Sequence, residues 1–181
     1  MIRRPLRSLL AALVVGSAVV LGGCSTPAPA PTPSPTGFTD EAEAFTAAEE
    51  TYRAYVDALN QVDLADPATF EDVYAWTTGD ANATDKKSFS SYHAEGFTVT
   101  GETVTESFTP VSYDSASGTI VATVCSDISQ IEVTNASGES QVAEDRPDLY
   151  ELEVTFVRLK TAKYSLAIQD SAALELSTCA V

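Results

Sequence analysis

The chain has 181 residues, with 10 Lys+Arg against 26 Asp+Glu, and its formal net charge is −16 at pH 7. A surface this acidic repels nucleic acid and anionic lipid headgroups, because both need positive charge on the protein. Solubility is the plain account of the charge, with a basic partner or cation binding as the alternative.

Arg3, Arg4 and Arg7 open the chain, and Leu9 to Val20 follow as an apolar run, the two parts of a secretory signal. The run ends in Leu21-Gly22-Gly23-Cys24. That pattern resembles the lipobox of bacterial lipoproteins, in which the Cys thiol takes a diacylglycerol and becomes the mature N-terminus. The resemblance implies a signal peptide over 1–23 and lipidation at Cys24. The protein would then be anchored to the cell membrane through that lipid, on its extracytoplasmic face. An uncleaved membrane anchor is the competing reading, but Leu9 to Gly23 is shorter than the ~20 residues needed to span a bilayer. Without the 23 signal residues, 181 − 23 = 158 remain, enough for one domain with a core. The three signal arginines leave too, so the balance becomes 7 − 26 = −19.

Residues 24–37 hold the lipidated Cys and a linker with Pro at 27, 29, 31, 33 and 35. At ~3.1 Å per residue such a polyproline-type spacer reaches roughly 40 Å, so its role is reach. The folded domain is expected over 38–181. Thr39 or Asp40 can cap its first helix, and Asp40, Glu41 and Glu43 suit the positive end of the dipole. Phe45, Ala48, Tyr52, Tyr55, Val56, Leu59 and Val62 recur at steps of mostly three and four, which predicts an amphipathic helix about five turns long. Glu49, Glu50, Arg53 and Asp57 take the opposite side.

Asp66-Pro67 starts a second, shorter helix that carries Phe70, Val73 and Tyr74 inward and stops by Gly79. A third is expected from about Asp80 to Glu95, with Gly96 as its C-terminal cap. After Gly96 the period changes to two. Strands are expected over Phe97–Thr100, over Val104–Tyr113 with Pro110 at an edge or bulge, and over Thr119–Val133. The last of these is apolar on both faces at Ile120, Val121, Ala122 and Val124, which predicts a central strand. Leu149–Lys160 alternates until its apolar face switches at Val157 and Leu159, the mark of a bulge or strong curvature. Tyr164, Leu166 and Ile168 begin another strand, and Leu174–Val181 forms the last.

The chain has three cysteines. With Cys24 taken by the lipid, Cys125 and Cys179 remain, and two cysteines in an exported domain usually pair. Closing a loop of 54 residues would add roughly 4 kcal/mol in the chain-entropy picture, and two buried free thiols are the alternative. A metal centre lacks ligands: His93 is the only His, and no Cys-x-x-Cys exists. The acidic pairs Asp63/Asp66 and Glu71/Asp72 lack calcium-loop spacing. No cofactor is implied.

Three helices followed by a long, curved antiparallel sheet is an α+β order. The long helix with Tyr52 and Tyr55, the Gly79 and Gly96 helix ends, and Phe97-Thr98-Val99-Thr100-Gly101 fit a known layout. Thr123-Val124-Cys125-Ser126-Asp127, Asn135-Ala136-Ser137-Gly138, Asp145-Arg146-Pro147 and the terminal Cys179 fit it as well. On these features the chain resembles actinobacterial lipoproteins of unknown function with a nuclear transport factor 2-like (cystatin-like) fold. It departs from them at Thr161-Ala162-Lys163-Tyr164, where such proteins often carry Gly-Gly-Trp, so Tyr164 would fill the Trp slot. The resemblance implies a cone-shaped half-barrel closed by the long helix, with a pocket inside.

In enzymes of that fold the pocket holds an Asp base, an acid/Tyr pair or a His-Asp pair, and no such set is assignable from this sequence. His93 and Asp127 read as helix-end and turn residues. Tyr52, Tyr55, Trp76 and Tyr164 are candidates for pocket lining or for plain core. The reading that follows is a non-enzymatic, lipid-anchored envelope protein that binds a small apolar ligand or a partner protein. The alternatives are an isomerase- or cyclase-like enzyme with a polar pocket in the cone, and an interaction-only module whose core is filled.

Overall fold

Asp40 opens the first helix, α1 (Glu41–Leu59), by accepting the Glu43 N–H at 2.9 Å. Glu43 reaches back to the Thr39 N–H at 2.7 Å, so two backbone donors are satisfied reciprocally. The helix ends at Asn60, whose side chain exchanges two 2.9 Å hydrogen bonds with the Thr103 backbone. These coordinates are a computed structural model that describes residues 37–159, 166–175 and 178–179. Cys24, the expected signal segment, nearly all of the Pro-rich linker, and Tyr164 with the hairpin expected there lie outside the described residues.

A 3₁₀ turn (Pro67–Thr69), capped by Asp66, leads into α2 (Phe70–Tyr74). The third helix, α3 (Gly79–Glu95), closes at Gly96 in the left-handed region, φ +67°. Strands follow: β1 (Thr98–Thr100), β2 (Val104–Asp114), β3 (Thr119–Asp127), β4 (Glu132–Thr134), β5 (Leu149–Arg158) and β6 (Leu166–Ala173). The fold is therefore α+β, with the helices ahead of the strands. The main sheet is antiparallel in the order β2-β3-β5-β6, and β1 pairs with β4 in a separate two-stranded sheet. Register shifts fall between Thr105/Ser107 and Pro110/Ser112 on β2, and opposite Thr155/Phe156, where the extra residue, Gln169, lies on β6. The bulge expected on β5 thus sits on its partner strand.

The core forms where one face of α1 meets one face of the main sheet. Ala44, Ala48, Tyr52 and Val56 pack against Ile120, Ala122, Val124, Val154, Phe156, Leu166 and Ile168. A smaller cluster of Leu64, Phe70, Val73 and Phe89 sits under α2 and α3, and Tyr55 touches both.

Several expectations need correction. Gly79 starts α3 rather than ending α2, and at φ +55° its missing Cβ leaves room for the Gln169 carbonyl of β6. Val62 lies beyond the end of α1. The third predicted strand stops at Asp127, whose carboxylate accepts the Ser129 N–H at 2.7 Å and turns the chain. Its continuation is the separate β4. β3 is indeed interior, but its burial alternates: Ile120, Ala122 and Val124 are buried while Val121 is only half-buried, so one face alone belongs to the core. No strand forms among the described residues after Ala173.

Cys125 and Cys179 are bonded, with Cα atoms 5.7 Å apart. The described residues next to the bridge, Thr178 and Cys179, are in no strand, and 180–181 lie outside the described residues. Leu174 N–H donates to the Glu151 carbonyl at 2.9 Å, and the Thr178 N–H and hydroxyl both donate to the Glu151 carboxylate. Glu151 is opposite Cys125 in the β3–β5 register, so the tail runs over β5 to reach it. Glu151, which alternation assigned to solvent, is accordingly only 9% exposed.

Candidate functional site

Two concave features merit comparison, and different parts of the fold build them. The larger is a groove of about 580 Å³ beside the two-stranded sheet. The end of α1 contributes Leu59, α3 contributes Phe89 and Tyr92, and Phe97 and Val99 come from just ahead of β1 and from β1 itself. Across from them stand Ile128, Ile131 and Val133, with Val142, Ala143 and Arg146 from the β4–β5 connection. The lining holds no Asp or Glu, although the chain has 26 of them. Tyr92 and Val99 are partly open to solvent at the groove, as Val104, Val111 and Leu174 are elsewhere on the surface.

Local contacts hold these walls in place. Gly101 has φ +86°, and a Cβ there would lie 1.8 Å from the Gln130 carbonyl, so the chain between β1 and β2 closes directly on the 128–131 turn. His93 Nδ1 donates to the Leu64 carbonyl at 2.6 Å and ties the last turn of α3 to the segment after α1. The polar side chains are mostly engaged: Asn60 with Thr103, and Gln141 with the Glu139 and Ser140 carbonyls. Arg146 Nη2 donates to the Ile128 carbonyl at 2.8 Å, while its buried Nε has no acceptor among the described residues.

The smaller feature is a pocket of about 180 Å³ between α1, α3 and β6. Tyr55 donates to Asp85 Oδ1 at 3.3 Å, and Asp85 Oδ2 is buried with no hydrogen-bond partner among the described residues. Burial raises the Asp85 pKa above its ordinary value, with hydrogen bonds from Thr77 and Tyr55 opposing. Burial also raises Tyr55, helped by the Asp85 charge, so the phenol stays a neutral donor. Tyr52 is pushed up to about 12 by burial, partly offset by Ser126.

The four aromatic candidates do not converge on one site. Tyr52 is core, 3% exposed, and reaches the small pocket only at its edge. Tyr55 is divided between core and that pocket. Trp76 is half-buried in a shallow depression on the far side of α1, beside Asp57 and Asp72. Tyr164 lies outside the described residues. None of the three described aromatics lines the large groove, whose walls come from residues that the sequence presented as ordinary strand and helix positions. The sequence does not single out Asp85; the signal available is a carboxylate one turn past Ala81 in the middle of α3, away from the helix-end charges Asp80 and Glu95. No group of three or more His, Cys, Asp or Glu able to hold a metal occurs among the described residues, and no helix there is long and apolar enough to cross a membrane.

No family model matches the chain, and no curated protein does. Among solved structures the chain is similar to the crystal structure of the intermembrane space region of chloroplast protein ARC6. The two share 14% identity at a TM-score of 0.50, over 72% of this chain and 95% of that one. At this identity the likeness speaks to the α+β fold alone.

Proposed function

We propose that this chain is a lipid-anchored envelope protein that binds a small apolar ligand in the groove beside β1 and β4. The observation that carries this reading is the groove's composition: an apolar lining free of carboxylates on a strongly acidic chain. Its volume of about 580 Å³ falls within the ~300–1,000 Å³ typical of small-molecule sites. The bent main sheet, with three register shifts, is consistent with the cone-shaped half-barrel of the nuclear transport factor 2-like resemblance. The lipobox motif supports anchoring at Cys24, on the outer face of the membrane, and the acidic surface leaves the lipid as the means of attachment.

One observation favours the enzymatic alternative: Asp85, desolvated beside Tyr55, has the makings of an acid/base pair. The magnitudes favour binding. The Asp85 pocket, at about 180 Å³, is smaller than typical substrate sites.

The neutral dye Nile red tests the reading on soluble protein that starts after Cys24. Its fluorescence should rise on binding, and Val99→Asp, at a position that tolerates exposure, should abolish the rise without changing the circular dichroism spectrum. Dye binding that survives a charge in the groove would contradict the proposal. For the anchor, Cys24→Ser should leave the precursor unprocessed and unlabelled by fatty acid.

A further inference from the structure

We infer that the groove's ligand is a single-chain amphiphile with a monoanionic carboxylate head, and that Arg146 is the residue that recognises the head. The inference rests on the groove being a ligand site and adds the chemistry of what enters it.

Arg146 is the sole charged side chain in the lining. Its carbonyl partner, Ile128, satisfies only Nη2, and the buried Nε has no acceptor among the described residues. Nε is closed to solvent, so a head group would meet the guanidinium through the donors that the groove leaves accessible, and a carboxylate there would compensate a charge that no acidic side chain among the described residues pairs. Among the described residues Arg146 pairs with no carboxylate, and the one ion pair is Arg53–Glu49. Glu144, Asp145 and Asp148 flank Arg146 in sequence, but all three are exposed and none lines the groove. Those neighbours also bear on the head group. One guanidinium neutralises one negative charge, and a dianionic phosphate would leave a surplus facing three acidic side chains. Val99, Ile131 and Val142 offer the tail an apolar bed. Head and tail of the ligand thus find complementary charge and complementary apolar area in the same groove.

Displacement of Nile red by dodecanoate, dodecanol and dodecyl phosphate, at slightly alkaline pH, tests this. In the unmodified protein, dodecanoate should displace the dye at a concentration about tenfold below dodecanol, as a charge-assisted hydrogen bond gives. Arg146→Gln should bring dodecanoate to the level of dodecanol, read as the ratio of the two within the same variant. Arg146→Lys, which keeps the charge, should retain most of the preference. If the dye never binds, the groove reading itself fails. If the dye binds but acid and alcohol displace it equally in the unmodified protein, the groove stands and the head-group inference is overturned. A preference that survives Arg146→Gln, or stronger displacement by dodecyl phosphate, overturns it too. A second copy of the chain in the groove would make dye binding fall as protein concentration rises, and would likewise refute it.

Discussion

Asp85 is a carboxylate whose environment sets a measurable pH dependence. Burial raises its pKa in the folded protein above the value of 3.8 it would have in isolation. Between the ordinary and the raised value the folded state binds more protons than the unfolded state. Stability therefore declines as pH rises through that window, and the penalty is absent below it. Asn cannot ionise, so Asp85→Asn removes the dependence. Relative to the unmodified protein, this variant should gain melting temperature on going from acid pH to neutrality. A difference that does not vary with pH would show that Asp85 is well solvated. Tyr55 and Asp85 are 30 positions apart in sequence, so only the packing of α1 on α3 makes them a pair. That distance explains why an inward carboxylate was not visible in the sequence.

Among the elements, the turn at Gly101 does most to shape the groove. A side chain there meets both a positive φ of +86° and the Gln130 carbonyl, whereas Gly138, at φ +81°, has nothing within 4 Å. Gly101→Ala should therefore destabilise by about 3 kcal/mol or more, combining backbone strain with a backbone clash. Gly138→Ala should cost about 1 kcal/mol, from strain alone. Equal costs in denaturant unfolding would mean that the 98–103 and 128–131 segments are not in close contact. The elements themselves were largely legible. The stripe of Ala48, Tyr52 and Val56 marked α1, and Gly96 marked the end of α3 despite its weak pattern, because a left-handed cap has a local signature. The split of the third strand was harder to read, since Ile131 and Val133 continue its apolar pattern. What ends β3 is the side-chain hydrogen bond of Asp127, a feature with no periodicity. The described residues after Ala173 join no ladder: Leu174 and Thr178 bond to Glu151, and Cys179 bonds to Cys125.

For the whole molecule, the core and the groove are separate achievements of the fold. The core is built from α1 and one face of the main sheet, elements whose apolar periodicity can be read residue by residue. The groove is assembled from Leu59, Tyr92, Val99, Ile131, Val142 and Arg146, spread over nearly ninety positions on different elements, roughly as many as a small domain contains. No local pattern connects them, and the carboxylate-free lining emerges only after the chain has folded. The disulfide is legible from cysteine number together with the expectation of export that the lipobox resemblance carries, because that inference needs no geometry. Its path over Glu151 did need geometry. The central claim is that ligand binds in the groove beside β1 and β4, and not at the Asp85 pocket or the Trp76 depression. Amide NMR shifts recorded during titration with dodecanoate measure this most directly. The account predicts shifts concentrated at Val99, Ile131, Val142 and Arg146, with Asp85 and Trp76 unmoved. Shifts centred on Tyr55 and Asp85, or none that saturate, would contradict it.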